Sequence, residues 1–562
     1  MSVQPRPWPR VPDQTAAVAR AAFPKGCLAM RVRDELPDLF PDQAFATAFG
    51  VRGRPGTSPG QLALITVLQF AENLTDRQAA DAVRGRIDWK YALGLDLHDP
   101  GFDHTVLTGF RDRLIQHGLE ETVLDLLLTR LVELGLVAAG GRQRTDSTHV
   151  LAAVRTLNRI EMVTETLRAA LEALAAAAPD WLAGWIPPQW ITRYPARADA
   201  YRLPGSDTKR QEWVITTGAD GYQLVRALHA SGAPPWLRDI PAVVILRTVW
   251  IQHYTRTVTT TGQGSKQEVI WRESKDLPPH QSLLTSPYDP DTRYSVKREM
   301  GWNGYKAHIS ETCDDIDATD RPHLVTMVAT TPATVPDVAM TQTIHSGLAR
   351  RNLAPAEHVV DAGYTSAALV VDAATEHGIT LLGPLLVDNS PQARAGLGFD
   401  RASFGIDFDR RRVCCPQGQS SSSWTPGWHG GREVIVVKFA TGTCRACPVR
   451  GQCTRVRRGG RQLTIRPRAL HEAVVSGRAG QTTAEWKARY AVRAGVEGTM
   501  RQAVSTTGIR RARYRGLPKT RLGHVFAAAA INLVRLDAWW SNPFVTRGRT
   551  SHLARLDLAL AA

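Results

Sequence analysis

Apolar residues recur at helical spacing through the first quarter of the chain. Between about residues 13 and 137, the runs Gln61-Leu-Ala-Leu-Ile-Thr-Val-Leu-Gln-Phe70 and Glu121-Thr-Val-Leu-Asp-Leu-Leu-Leu-Thr-Arg-Leu-Val-Glu-Leu134 carry the period of helices with a buried face. Pro55-Gly56 with Thr57-Ser58-Pro59-Gly60 introduces one helix, and Asn73-Leu-Thr75-Asp76-Arg77-Gln78 reads as a cap followed by the next. The pattern predicts an all-α domain over residues 1–138.

The pattern changes after Gly140-Gly141. Arg142 to Val150 reads as the first strand, with Asp146 at its middle or end, and an Ala/Leu-rich helix follows around Ile160 to Ala178. From there to about Pro290 the chain is rich in Trp, Pro and Thr with weak periodicity, so residues 155–290 read as a mostly helical or irregular insertion. Order returns after Tyr294. Strands are predicted at 304–313 and 323–331, joined by an acidic turn, then a helix from Val335 to Arg351 and a short strand from Glu357 that ends at Asp361. A helix from Ser366 to His377 and a strand from Ile379 to Leu386 complete an α/β fold, a mixed sheet flanked by helices. Residues 387–480 break the pattern as a Cys-bearing, β-rich insertion in which Arg432 to Phe439 resembles a strand. The second domain therefore spans 139–540, and 541–562 form a tail.

A chain of 562 residues, 43% hydrophobic and 22% charged, has enough apolar content for a sizeable core. Its formal charge of +16, carried mostly by Arg, makes nucleic acid the leading partner, since guanidinium groups match phosphate in a bidentate way. No charged-then-apolar leader opens the sequence, and no uncharged apolar run approaches the roughly eighteen residues a membrane span needs. The expectation is a cytoplasmic protein without a membrane partner.

One carboxylate stands out against this charge. Lys487 to Arg521 holds ten Lys or Arg and a single acid, Glu497. On one helix Tyr490, Arg493, Glu497 and Arg501 fall within roughly 80° of arc and address one site together, although an exposed ladder of i,i+4 pairs explains the same spacing. Asp146 on the first strand, Asp361 at a strand end and Glu497 on a helix are the oxygen ligands a hard cation such as Mg²⁺ prefers. Two such ions about 3.5–4 Å apart would clamp an in-line phosphodiester displacement. Acids also close strands and cap helices, and that reading stands beside the catalytic one.

Five of the seven cysteines lie between Cys414 and Cys453. Cys414 or Cys415, of which Cys415 before Pro416 is the choice, with Cys444, Cys447 and Cys453, supplies four thiolates in two approaching pairs, as a structural Zn²⁺ site requires. Reduced cysteines in a β-rich insertion, or a disulfide, are the alternatives. His149 and His308 read as half-buried, hydrogen-bonded side chains.

The order Thr145-Asp146-Ser147-Thr148, Val360-Asp361-Ala362-Gly363-Tyr364 and Tyr490-x2-Arg493-x3-Glu497 resembles the DDE signature of bacterial insertion-sequence transposases with an RNase H-like core. Further pieces fit the same family. They are Asp76-Arg77-Gln78 with Trp89 to Leu95, Phe110 to Leu114, Ser286 to Asp291 with Lys297-Arg298, Trp302-x-Gly304-Tyr305-Lys306, Arg513 to Gly516 with Lys519-Thr520, and Ala530 to Leu533.

The resemblance implies that Asp146, Asp361 and Glu497 bind two Mg²⁺ ions, with Mn²⁺ able to substitute, and nick double-stranded DNA at the element's ends. The freed 3′-hydroxyl then attacks target DNA. Tyr490 and Arg493, helped by Arg501, would contact DNA near the scissile phosphate, with Arg510, Arg511, Arg513, Arg515 and Lys519 extending the DNA-binding set. The helical domain would read the ends, and a homodimer would pair them in a nucleoid-associated complex. One departure stands out: the Lys expected seven residues after the Glu is Val504 here, so Arg501 or Arg510 would substitute. A catalytically silent DNA-binding derivative and a metal-dependent nuclease without joining activity are the alternative readings.

Overall fold

The computed structural model describes residues 2–53, 55–198, 203–261, 264–297, 299–314 and 321–541; Arg298 and the tail from 542 onward lie outside the described residues. The N-terminal helices begin where the caps predict. Ser58 caps the helix Pro59–Ala71, and Thr75 and Gln78 form a reciprocal capping box at the start of Asp76–Gly85. Asp76 then accepts from the Arg111 guanidinium of the helix Thr105–Gln116, locking two helices together.

The central sheet contains β1 (Arg142–Leu151), β2 (Arg293–Lys297), β3 (Met300–Thr312), β4 (Val325–Pro332), β5 (Glu357–Val360) and β6 (Thr380–Leu382). Its order is β4-β3-β1-β5-β6, with β2 also paired to β3. β1, β2 and β4 each run antiparallel to β3, whereas β1, β5 and β6 run parallel. Thr145 lies opposite Val360, so the next residues along the chain, Asp146 in the middle of β1 and Asp361 just past the end of β5, fall side by side.

Several boundaries differ from the sequence pattern, and proline explains two of them. The helix expected from Val335 is a 3₁₀ turn, Asp337–Met340, followed by the α-helix Thr341–Arg350, because Pro336 delays the start. The strand expected to reach Leu386 pairs only over Thr380–Leu382, before Pro384 removes a donor.

The helix Leu517–Ser541 is buried along most of its length and packs on both β4 and Pro59–Ala71. Asn532 accepts from Val325 N–H at 2.7 Å and donates to its carbonyl at 2.8 Å, continuing the β-ladder with a side-chain amide. One hydrophobic interior runs from Ala29 through the sheet to Leu536, so the helical N-terminal part and the sheet share a core.

The two insertions have interiors of their own. Residues 155–290 contain the helices Arg159–Ala177, Asp207–Leu228 and Pro241–His253 and a hairpin, Tyr254–Thr261 with Gly264–Trp271, around Leu167, Leu224, Leu246 and Trp250. Weak periodicity hid the second helix because it carries Gly218 and Gly221. A Cβ on Gly221 would lie 2.1 Å from the Trp250 ring, so glycine there admits an aromatic neighbour despite its cost in a helix. The Cys-bearing insertion is a three-stranded sheet, Ser423–His429, Arg432–Lys438 and Gln462–Ile465, beside the short pair Gly405–Asp407 and Arg412–Cys414.

A buried ion cluster fastens the C-terminal helices to the sheet. Glu311 on β3 is fully buried and accepts from Arg144 Nε at 2.7 Å, Arg535 Nη1 at 2.7 Å and Thr499 Oγ1 at 2.6 Å. Burial works to raise the Glu311 carboxyl, but Arg535, Arg144 and the Thr499 hydroxyl outweigh it and hold the group below the usual glutamate range. Glu311→Gln leaves two guanidinium groups without their counter-charge and is expected to cost about 3–5 kcal/mol, read as a lowered denaturant midpoint at neutral pH. A depressed carboxyl contributes stability above the ordinary glutamate range and loses it as pH falls through the folded-state value, so wild type and variant should converge in acid. Equal midpoints at neutral pH would remove this cluster from the architecture's supports.

Candidate active site

Asp146 sits within β1, beside the edge where β5 ends and β1 continues. Its Oδ1 accepts from Ser147 N–H at 2.7 Å, and its Oδ2 accepts from Arg493 Nη2 at 2.8 Å. The same Arg493 nitrogen lies 3.7 Å from Asp361 Oδ2, so one guanidinium spans both aspartates. Asp361 caps the turn Ala362–Tyr364, accepting from Gly363 N–H at 2.8 Å. Burial pushes the Asp146 carboxyl above the usual aspartate range; Arg493 and the Ser147 amide pull against that shift, and the neighbouring Asp361 adds to it.

Arg493 reaches this position because the basic segment is not one straight helix. The helix Ala484–Ala491 passes through a 3₁₀ turn, Val492–Ala494, into the helix Gly495–Thr507, which corrects the single helical face expected for Tyr490 to Arg501. Arg144 makes the turn: its Nη1 donates to Val492 O at 2.6 Å, and its guanidinium fills the space over Gly495, where a Cβ would lie 2.1 Å from Nη1. A tighter turn gives fewer residues per revolution, which shifts Tyr490 and Arg493 relative to Glu497.

Glu497 is exposed in the first turn of Gly495–Thr507. With Asp146, Ser147 and Thr148 it lines an open cleft of about 460 Å³, bordered by Arg501, Val504 and Arg510. Arg510 arrives by backbone pairing: Leu151 N–H donates to Arg510 O and Ala512 N–H to Leu151 O, each at 2.8 Å, and Arg510 Nε donates to Thr148 Oγ1 at 3.0 Å. Tyr490 stacks on Trp486 with ring centres 4.7 Å apart and planes 18° apart.

The other basic candidates are placed differently. Arg511 is exposed. Arg513 turns inward, donating to Leu74 O and Asn73 Oδ1 at 2.6 Å each while its guanidinium sits 4.1 Å from the Phe70 ring centre. Arg515 lies over the Tyr288 ring, and Lys519 pairs with Asp112 at 2.7 Å. The structure thus brings Arg493, Arg501 and Arg510 to the carboxylates, while Arg513, Arg515 and Lys519 join separate parts of the chain.

Asp337 is a further acid at this edge that sequence reasoning missed. It accepts from Lys306 Nζ at 2.9 Å and from Ser147 Oγ at 3.2 Å, and its Oδ2 would lie 3.5 Å from a Cβ on Gly363. Lys306 belongs to the Trp302-x-Gly304-Tyr305-Lys306 piece, but no spacing rule ties it to an aspartate after Pro336. Below them His308 Nδ1 and Tyr364 Oη form a buried hydrogen bond of 2.6 Å, the structural role expected for that histidine.

The aspartates present hard oxygen donors, already oriented by backbone amides, and fit a divalent cation. Among the described residues, no three His, Cys, Asp or Glu side chains stand together as a ready-made cation cage. In the Cys-bearing insertion, Cys415, Cys444, Cys447 and Cys453 line one cavity while Cys414 is exposed, and all seven cysteines are free thiols.

Residues 18–113 match the family model described as Transposase domain (DUF772), and residues 414–537 match that described as Transposase DDE domain. The second match takes in the cysteines and Glu497 and stops short of Asp146 and Asp361. No curated protein and no solved structure matches the chain. Transposase matches thus fall on both the helical N-terminal part and the segment that delivers Glu497, which supports an insertion-sequence DDE transposase.

Proposed function

We propose that the protein binds the terminal inverted repeats of its own element as double-stranded DNA, cleaves a strand at each end and joins the ends to target DNA. Asp146, Asp361 and Glu497 carry the reaction. The observation behind this reading is a convergence in the sheet: Asp146 within β1 and Asp361 at the end of the adjacent parallel β5 lie side by side, and Arg493, from the segment that bears Glu497, spans both. The order β4-β3-β1-β5-β6, three antiparallel strands followed by two parallel ones, supports an RNase H-like core.

Asp146, Asp361 and Glu497 would hold two Mg²⁺ ions, or Mn²⁺ in their place. When bound, the metals supply Lewis-acid charge and an activated water for in-line displacement. Arg493 offsets the repulsion between the two aspartates, and the amides of Ser147 and Gly363 fix their oxygens. Arg501 and Arg510 lie along the cleft, where they counter phosphate charge in place of the lysine replaced by Val504. Tyr490 and Trp486 form a stacked aromatic pair beside it, suited to a base or sugar face. The helices of residues 1–138 recognise the ends, a homodimer pairs them, and the complex works on the nucleoid in the cytoplasm.

Three measurements test this assignment. Asp146→Asn, Asp361→Asn and Glu497→Gln should each reduce cleavage of repeat-bearing duplexes by more than about a hundredfold, the upper end of what losing a residue that only orients a metal ligand costs, while DNA binding persists. Cleavage at the wild-type rate by any of the three would remove that residue from the site. Arg501→Ala or Arg510→Ala should flatten the dependence of log K on log salt by about one for each lost phosphate contact; an unchanged slope places DNA elsewhere. Asp146 must be ionised to hold a cation, and its raised carboxyl makes activity fall on the acid side sooner than an ordinary aspartate would. Arg493→Gln removes a charge that favours the carboxylate, so the acid limb of the cleavage pH profile should move to higher pH. A limb that stays or moves lower contradicts the pairing.

A further inference from the structure

We propose that the insertion 387–480 is a zinc module in which Cys415, Cys444, Cys447 and Cys453 bind one Zn²⁺ as thiolates. Its hydrophobic interior consists of only six buried side chains, Phe404, Val413, Val437, Phe439, Leu463 and Ile465. So small a core does not hold a module of this length without a staple, and the partly buried residues packed against it include Cys415, Cys444 and Cys453.

The four thiols come from three separate pieces of backbone and line one cavity of about 40 Å³, room for a single ion. As placed, no three of the thiols stand together closely enough to hold an ion. Each cysteine side chain turns about a single bond, and binding the ion requires the thiols to rotate into the cavity they line.

That backbone is already shaped for thiolates. After Cys415 the chain turns back sharply: Gly418 N–H donates to Cys415 O and Cys415 N–H to Gln419 O, both at 2.8 Å, with Gly418 at φ +75°. The turn aims Gln419 N–H at Cys415 Sγ, 3.4 Å away. On the opposite side Arg461 N–H points at Cys444 Sγ at 3.3 Å, while Arg461 Nη1 donates to Cys453 O at 2.7 Å. An amide directed at sulfur stabilises the thiolate over the thiol and orients it towards a metal. Four sulfur donors and no oxygen ligand select Zn²⁺ over Mg²⁺. Cys414 lies outside this arrangement, its Sγ turned to Cys415 O at 3.7 Å, and serves as an internal control.

The test uses the full-length protein under reducing conditions. Elemental analysis should find one zinc per chain. Cys444→Ser/Cys447→Ser should lose it, whereas Glu497→Gln should retain it, which keeps this site separate from the catalytic one. Because the double variant could fail to fold, native wild-type protein is also labelled with a thiol-alkylating reagent and mapped by peptide mass spectrometry. Cys414 should label first, and the other four should label only after a zinc chelator is added. Zinc content equal in wild type and the double variant would overturn the proposal. So would labelling of the four at the rate of Cys414 without chelator, or disulfides among them in the protein as purified.

Discussion

Glu311 lies where an unpaired charge could not stay, and the groups that neutralise it come from three directions. Arg144 reaches along the sheet from β1, Arg535 comes from the helix Leu517–Ser541, and Thr499 from the helix that carries Glu497 in its first turn. Arg144 also donates to Val492, 348 residues further along the chain, and so shapes the turn that sends Arg493 to the aspartates. Asp146 is two residues from Arg144 on the same strand. The position of the candidate site is therefore set by a buried ion cluster that shares its strand and its helix. A hydrophobic contact could hold the helix against the sheet, but a carboxylate with directed donors also fixes its rotation.

That arrangement accounts for how two large insertions fit between the carboxylates. Asp146 and Asp361 are separated by one insertion, and Asp361 and Glu497 by the other, yet the strands and helix meet in one geometry. Closing a longer loop costs only slightly more entropy than closing a shorter one, so the insertions are tolerated once each orders itself. The first does so with a Trp-rich interior, in which Trp250 packs on Gly221 and donates to Gly218 O at 2.9 Å. The second has six buried apolar side chains and four converging cysteines.

Much of this was legible from residue order. The capping box at Thr75 and Gln78 stands where its motif predicts, and the strands bearing Asp146 and Asp361 were marked by Gly140-Gly141 and by Ala362-Gly363. What stayed hidden shares a physical cause: charge in a sequence reads as surface. Arg144, Glu311 and Arg535 look like solvated residues until the fold buries the first two and draws a half-buried Arg535 onto them, and Asp337 becomes relevant only because Lys306 and Ser147 face it. Arg513 belonged by composition to a basic run, but its neighbours are Phe70 and two backbone-proximal acceptors, and burial lowers its affinity for a proton. Burial sorts members of one charge run into different roles.

The missing lysine shows the same principle at the cleft. Seven residues on from Glu497, the helical period arrives at Val504, which borders the cleft and also packs against the main core. A charged group at that position would have to share its surroundings with apolar neighbours. Positive charge enters the cleft by another route, because residues 510–512 meet the end of β1 in an isolated β-bridge and place Arg510 against Thr148. Its place follows from backbone pairing and not from helical spacing, so counting along the helix from Glu497 leads to a packing position and misses the arginine beside the carboxylates.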